Sequence, residues 1–380
     1  MQPNTPPTQA PLGITFTGSG SEYFRIWIVN LLLTLVTLGI YYPWAKVRRL
    51  RYFYGNTQVD GATLDFHGNP LKMLKGSTLV AVLFGVYTAA GQFSNSAGLV
   101  ALVAVAAIAP ALVRASMQFR LANTSWRGLR FRFTGSMADV YRAVLPLYGP
   151  AVLLVGLSAF IGPEGENMPT TRWFLLSVLG VLLLTLALQP WTFWKLKQYQ
   201  HRHYALAAQQ TRFNATPGSF YLLCLKILGL VVLPVGLPFV AALAFIANGQ
   251  LHYYSPVLVI WITFIAIVLV LLLLNVAKPY AITRMQNLVW NHTSSQDLQF
   301  RSGLRFRSLL LLTMKNWFFV CITLGLYWPF AAVAVARLRL QAVSIHSSVP
   351  LDTLVGQRGT GSNDAAGDAA GDMLSFDLGL

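Results

Sequence analysis

The chain alternates long apolar runs with basic connectors, and that alternation limits what it can fold into more than any other feature. Mostly apolar residues fill 24–42, 74–91, 97–113, 140–161, 173–189, 220–247, 257–277 and 309–336. Each run approaches or exceeds the roughly 20 residues that an α-helix needs to cross a hydrocarbon layer. Hydrophobic residues make up 55% of the chain and charged residues 11%, which excludes a water-soluble globule. The net charge of +16 does not point to nucleic acid, because the Lys and Arg are distributed between apolar runs instead of gathered on one basic face. Cys224 and Cys321 lie inside apolar runs, so no disulfide framework or CxxC pair is expected.

Sidedness follows from the connectors. Those at 43–76, 114–142, 190–219 and 278–307 hold 21 Lys and Arg, whereas those at 92–96, 162–172 and 248–256 hold one, Arg172. Basic loops stay in the cytoplasm, so the six central runs are expected to form three out-and-back hairpins. Residues 1–13 are proline-rich and 356–380 are small and acidic; both are expected to be disordered, flanking a transmembrane domain at 14–345.

Aligned with itself, the chain shows an internal repeat. A shift of 67 places Pro43 on Pro110, Asn56 on Asn123, Gly61 on Gly128, Phe66 on Phe133 and Gly68 on Gly135. The proline-to-phenylalanine spacing returns as Pro190 and Phe213, and as Pro279 and Phe300 with a gap of two residues. Around these phenylalanines the period changes to two: Leu129, Phe131 and Phe133 alternate with Arg130 and Arg132, the pattern of a half-buried strand. Gly18, Gly68 and Gly135 are expected to let the chain turn back sharply. The fold class predicted is therefore a membrane all-α protein, polytopic, with six to eight hydrophobic segments and short cytoplasmic β-strands built from internal repeats. A second shift, of 286, relates residues 37–45 to 323–331. These terminal units are short, and leave open whether 24–42 and 309–336 span the bilayer or re-enter it.

The stretch Tyr23-Phe24-Arg25-Ile26-Trp27-Ile28-Val29-Asn30, then Thr37-Leu38-Gly39-Ile40-Tyr41-Tyr42-Pro43-Trp44-Ala45-Lys46-Val47-Arg48, then Arg51-Tyr52-Phe53-Tyr54, resembles the YjgN-like family of bacterial inner-membrane proteins. The resemblance is specific over about residues 14–70. It implies a multi-pass protein of the inner membrane whose domain has no assigned activity, and it carries over no catalytic or binding residues.

Little chemistry is legible. Carboxylates fall in connectors or at segment edges, which disfavours a carboxylate proton relay. His201 and His203, two residues apart on a helix, face different sides and have no acid or Cys beside them in sequence, so no metal is expected. No catalytic residue and no cofactor site is expected, and the chain is read as a non-enzyme. Expected contacts to anionic phospholipid headgroups, or to a small anionic solute, are Lys46, Arg48, Arg49, Arg51, Arg130, Arg132, Lys226 and Lys315. Asn30 and Asn316 are expected to make polar contacts between helices. Two readings follow: a transporter of a small anionic solute or lipid, or a membrane scaffold binding lipid or a partner through its basic face.

Overall fold

The computed structural model describes residues 11–158, 172–247 and 255–351. Through them the chain makes successive excursions, each leaving a common rim as a strand, passing through helices and returning as a strand. The first comprises β1 (Leu12–Phe16), α1 (Gly20–Val36), α2 (Tyr42–Gly55) and β2 (Thr57–Val59). The second comprises β3 (Ala62–Phe66), α3 (Pro70–Phe93), α4 (Asn95–Ala122) and β4 (Thr124–Trp126). Next come β5 (Leu129–Phe133), α5 (Met137–Val144), α6 (Tyr148–Ser158), α7 (Arg172–Arg202), β6 (Tyr204–Leu206) and β7 (Gln209–Gln210). The fourth runs β8 (Arg212–Phe213), α8 (Pro217–Ala247), α9 (Pro256–Asn291) and β9 (Thr293–Ser294). The last is β10 (Leu298–Ser302), α10 (Phe306–Ile322), α11 (Trp328–Gln341) and β11 (Val343–Ser347).

Local chemistry sets the corners. Ser19, Asn69 and Ser136 cap α1, α3 and α5, accepting from the backbone N–H of Glu22, Leu71 and Asp139 at 3.3, 2.9 and 3.1 Å, which satisfies donors that a helix start leaves open. Asp60-Gly61 and Arg127-Gly128 both adopt positive φ, the geometry of the two-residue hairpins joining β2 to β3 and β4 to β5. Pro110, Pro190 and Pro279 lie inside α4, α7 and α9. A proline in a helix frees the carbonyl four residues back; at Pro110 that carbonyl, on Ala106, accepts a 2.6 Å bond from the Tyr148 hydroxyl.

The strands overturn the all-α expectation. They form one antiparallel sheet of eleven strands in the order β7-β6-β5-β4-β3-β2-β1-β11-β10-β9-β8. Its two ends, β7 and β8, are separated in sequence by Thr211 alone, so the sheet curls into a nearly closed barrel. Across the seam Ser295 Oγ donates to Gln209 Oε1 at 2.6 Å and to Gln210 O at 3.1 Å, and Gln209 Nε2 donates to Asp297 Oδ2 at 2.6 Å. The physical reason is the demand of backbone polar groups for partners. Strands of two to five residues cannot stand as isolated pairs, and curling the sheet brings its two edges to a seam that side chains bridge.

The ends of the chain also resolve. Phe16 pairs with Thr57 and Ser302 with Val343, so α1–α2 and α10–α11 leave the sheet and come back to it. Their tips expose Leu38 and Leu324 at 95% and 93%. Five helices among the described residues are long and apolar enough to cross a membrane: Pro70–Phe93, Ser96–Ala122, Met137–Leu157, Phe174–Arg202 and Val257–Asn291. Leu12 and Gly13, expected in a disordered arm, belong to β1; residues 1–10 and 352–380 lie outside the described residues.

Packing between ring and helices depends on phenylalanines at strand ends. Phe16 packs with Tyr23 and Val333, Phe66 with Val47 and Phe119, Phe133 with Val140 and Tyr199, and Phe213 with Phe220 and Val289. Counting 23 residues on from Pro43, Pro110, Pro190 and Pro279 gives Phe66, Phe133, Phe213 and Ser302. Ser302, not Phe300, takes the buried strand-end place in β10. The glycines two residues beyond the rings serve close approach rather than a left-handed turn. A Cβ on Gly68 would meet Phe66 Cε1 at 2.4 Å, and one on Gly135 would meet Phe133 Cε1 at 2.6 Å.

Candidate functional site

Helix α7 has 31 residues and so runs about 46 Å, well beyond the roughly 30 Å of a hydrocarbon core. The excess lies after Pro190, as it lies after Pro110 in α4 and after Pro279 in α9. These extensions, with α11, form one side of a partly open chamber of about 760 Å³ whose other wall is the inside of the barrel. Its lining follows a helical face counted from each proline: Val113, Met117 and Arg120 on α4, Lys197, Gln200 and His201 on α7, Ile282, Gln286 and Val289 on α9. The strands contribute inward side chains, among them Ile14, Leu64, Trp126, Phe131, Leu206 and Ile345. At the far end Leu351 is buried against Trp126, with Val349 packed beside them.

Charge is confined to the helix side. Arg120, Lys197 and Arg339 come from three different helices, and no Asp or Glu among the described residues lines the hollow. Asp297 touches the wall from outside, through its bond to Gln209. Amides, not carboxylates, hold two of the cations. Lys197 Nζ donates to Gln200 Oε1 at 2.9 Å; Arg339 Nε donates to Gln286 Oε1 at 2.8 Å, and Gln286 Nε2 returns a bond to Arg339 O at 2.9 Å. Arg339 has substantial accessible surface because it faces the hollow, yet protein surrounds most of it, and burial lowers its pKa. Beyond the spanning part of α7, burial lowers the Lys197 pKa, and the charges of Arg120 and Arg339 lower it further. Three like charges thus share a low-dielectric wall, an arrangement that an anion would relieve.

His201 is buried and its Nδ1 lies 3.2 Å from Thr293 Oγ1, whereas His203 Nδ1 lies 2.7 Å from Tyr199 O. The cations singled out from sequence lie elsewhere. Lys46, Arg48 and Arg49 sit over the rings of Tyr42, Tyr41 and Phe53 at 5.7, 5.7 and 5.9 Å. Arg51, Arg130, Arg132, Lys226 and Lys315 are exposed, and none of these eight lines the chamber. Asn30 is buried with Nδ2 3.5 Å from Ala45 O on α2; Asn316 is buried and its side-chain amide makes no hydrogen bond among the described residues. Sequence reasoning missed Arg120, Lys197 and Arg339. The signal available was their place, ten, seven and ten residues after Pro110, Pro190 and Pro329.

A strand barrel capped by helices of bilayer length defines a polytopic membrane protein with a chamber beside the membrane. The chain belongs to the family described as bacterial protein of unknown function (DUF898), which matches residues 11–373. The inner membrane protein YjgN of Salmonella typhimurium (strain LT2) is 31% identical to it over 145 residues, 38% of this chain and 36% of that protein. Inner membrane protein YjgN of Escherichia coli (strain K12) is 28% identical over 160 residues, 40% of this chain and 38% of that protein. The match therefore covers little more than a third of either relative. No solved structure matches the chain. These relatives and the five apolar helices support an inner-membrane location.

Proposed function

We propose that the protein is a non-enzymatic carrier of an anionic solute or lipid, which it takes into the chamber from the inner membrane, with the strand ring and the basic loops in the cytoplasm. The observation that carries this reading is the grouping of Arg120, Lys197 and Arg339 around one hollow with no carboxylate in its described lining. The orientation rests on the charge of the connectors. A scaffold that grips headgroups is the second reading, favoured by cations stacked on interfacial rings: Lys195 lies 4.8 Å from the Trp194 ring and Arg284 5.5 Å from that of Tyr280.

Native mass spectrometry of the purified protein tests the choice. A bound anion that is lost when Arg120, Lys197 and Arg339 become Gln, Met and Gln supports the carrier. Bulk lipid held equally by the variant, together with a stoichiometric protein partner, would replace it with the scaffold. Labelling of cysteines introduced at Asn95 from outside intact cells, with protection at Arg49 and Arg130, checks the orientation; the reverse pattern would overturn it.

A further inference from the structure

The cations that line the chamber and a large part of its apolar wall come from different parts of the fold. Arg120, Lys197 and Arg339 stand on the helices, nearest the membrane. Trp126, Phe131 and Leu206 stand on the strands, in the barrel beyond. Leu351 packs on Trp126 and adds to the apolar wall. We propose that the occupant is a single-chain anionic amphiphile, of the kind of a fatty acid or an alkyl phosphate, with its head among the three cations and its chain inside the strand barrel. This deepens the carrier reading and rests on it.

Size and charge select this class. A methylene fills about the same volume as a water molecule in the liquid, roughly 30 Å³, so a sixteen-carbon chain needs about 500 Å³ and fits the 760 Å³ available with room for a head. Two such chains need about 1,000 Å³ before any head is added. A neutral alcohol would bring no negative charge to a wall that carries three cations and, among its described residues, no carboxylate. A small inorganic anion would answer the charge and leave the apolar wall uncovered. The arrangement is also tail-first: the chain leaves the bilayer and enters the barrel, while the head stays at the membrane surface.

The test uses the full chain, delipidated and held in an amphipathic polymer, titrated with hexadecyl phosphate below its micelle concentration. A brominated sixteen-carbon fatty acid reports the site by quenching Trp126, and the quenching assigned to this residue is the part missing in Trp126→Phe. Hexadecyl phosphate is expected to compete with it. Tetradecyl phosphate should bind about fifteenfold more weakly, as two methylenes fewer are withdrawn from water. Leu206→Trp, which fills the barrel without touching a cation, should shift the preference toward shorter chains. If inorganic phosphate competes as well as hexadecyl phosphate, the carrier reading stands and the chain assignment falls. Equal competition by two-chain phosphatidylglycerol also removes the single-chain assignment. If no anionic probe competes, or the triple variant Arg120→Gln, Lys197→Met, Arg339→Gln binds unchanged while melting as the natural protein does, both readings fall.

Discussion

Arg120, Lys197 and Arg339 inside the chamber, and Lys46, Arg48 and Arg49 on α2, are the same chemistry in opposite surroundings. The α2 cations lie over aromatic rings that partly answer their charge. Inside, Lys197 and Arg339 hold amides, and the charges of Arg120 and Arg339 bear on Lys197. Charge at a membrane surface can be satisfied by whatever anion is at hand, whereas charge grouped on the wall of a hollow favours an occupant that fits it. The count of basic residues cannot tell these two apart. Inside and outside are also separated by a single step along a strand: in β5, Phe131 and Phe133 turn inward while Arg130 and Arg132 turn out.

The strongest way to break this division is to reverse the polarity of adjacent residues. Phe133→Asp should cost about 3–5 kcal/mol, from the lost ring, the cavity left among Val140 and Tyr199, and a carboxylate without a partner. Arg132→Asp should stay within about 1 kcal/mol, since its side chain is exposed. Melting in detergent and the yield of monodisperse protein compare the two. Similar losses would mean that β5 has no inner face.

His201 sharpens the same division through pH. Its imidazole lies beyond the spanning part of α7, and burial first, then the Lys197 charge, lowers its pKa from 6.5 to about 3. As pH falls below 6.5 the unfolded chain takes up a proton that the fold refuses. The stabilisation from this group is therefore complete above pH 6.5 and is lost progressively toward pH 3. His201→Gln should flatten the dependence of melting temperature on pH between 6.5 and 4; an unchanged slope would place the imidazole in water.

A smaller loss is expected from Gly135→Ala, about 1–3 kcal/mol by overpacking, because the added Cβ would meet Phe133 Cε1 at 2.6 Å and Tyr199 Oη at 2.7 Å. Gly61→Ala has open space but a φ of +72°, and should cost about 1 kcal/mol through backbone strain alone. Thermal melts of the two variants separate crowding at the ring from strain in the hairpin. Smallest of all in stability is the exchange of cations. Lys46→Gln with Arg48→Gln should leave melting within about 0.5 kcal/mol and leave ligand stabilisation intact. Lys197→Met should slightly raise the melting temperature of ligand-free protein by removing repulsion. It should also abolish most of the roughly 2.7 kcal/mol that hexadecyl phosphate confers at a hundred times its Kd. If the α2 pair weakened ligand stabilisation as much, the chamber would not be the site.

Much of the scaffold could be read from the residues. Apolar length marked helices long enough to cross a membrane, and the alternation in Leu129 to Phe133 marked a strand. Two features misled. Phe300 stands two residues before the buried strand-end place, which a serine, Ser302, takes in β10. Gly68 and Gly135 were expected to serve a turn, whereas their lack of a side chain makes room for the ring two residues before.

The sequence by itself determined which segments are apolar enough for a bilayer and which connectors carry charge, since these depend on residues near one another in the chain. Only the tertiary structure decided that eleven strands join in one ring and that Arg120, Lys197 and Arg339 meet. A strand of two to five residues has too few side chains to name its partner. Pairing Leu12 with Ile345, residues from opposite ends of the described chain, is decided by the need of every backbone N–H and C=O for a neighbour. The chamber is a consequence of that closure: three cations from α4, α7 and α11 face one another because the ring brings together helices that the chain keeps far apart.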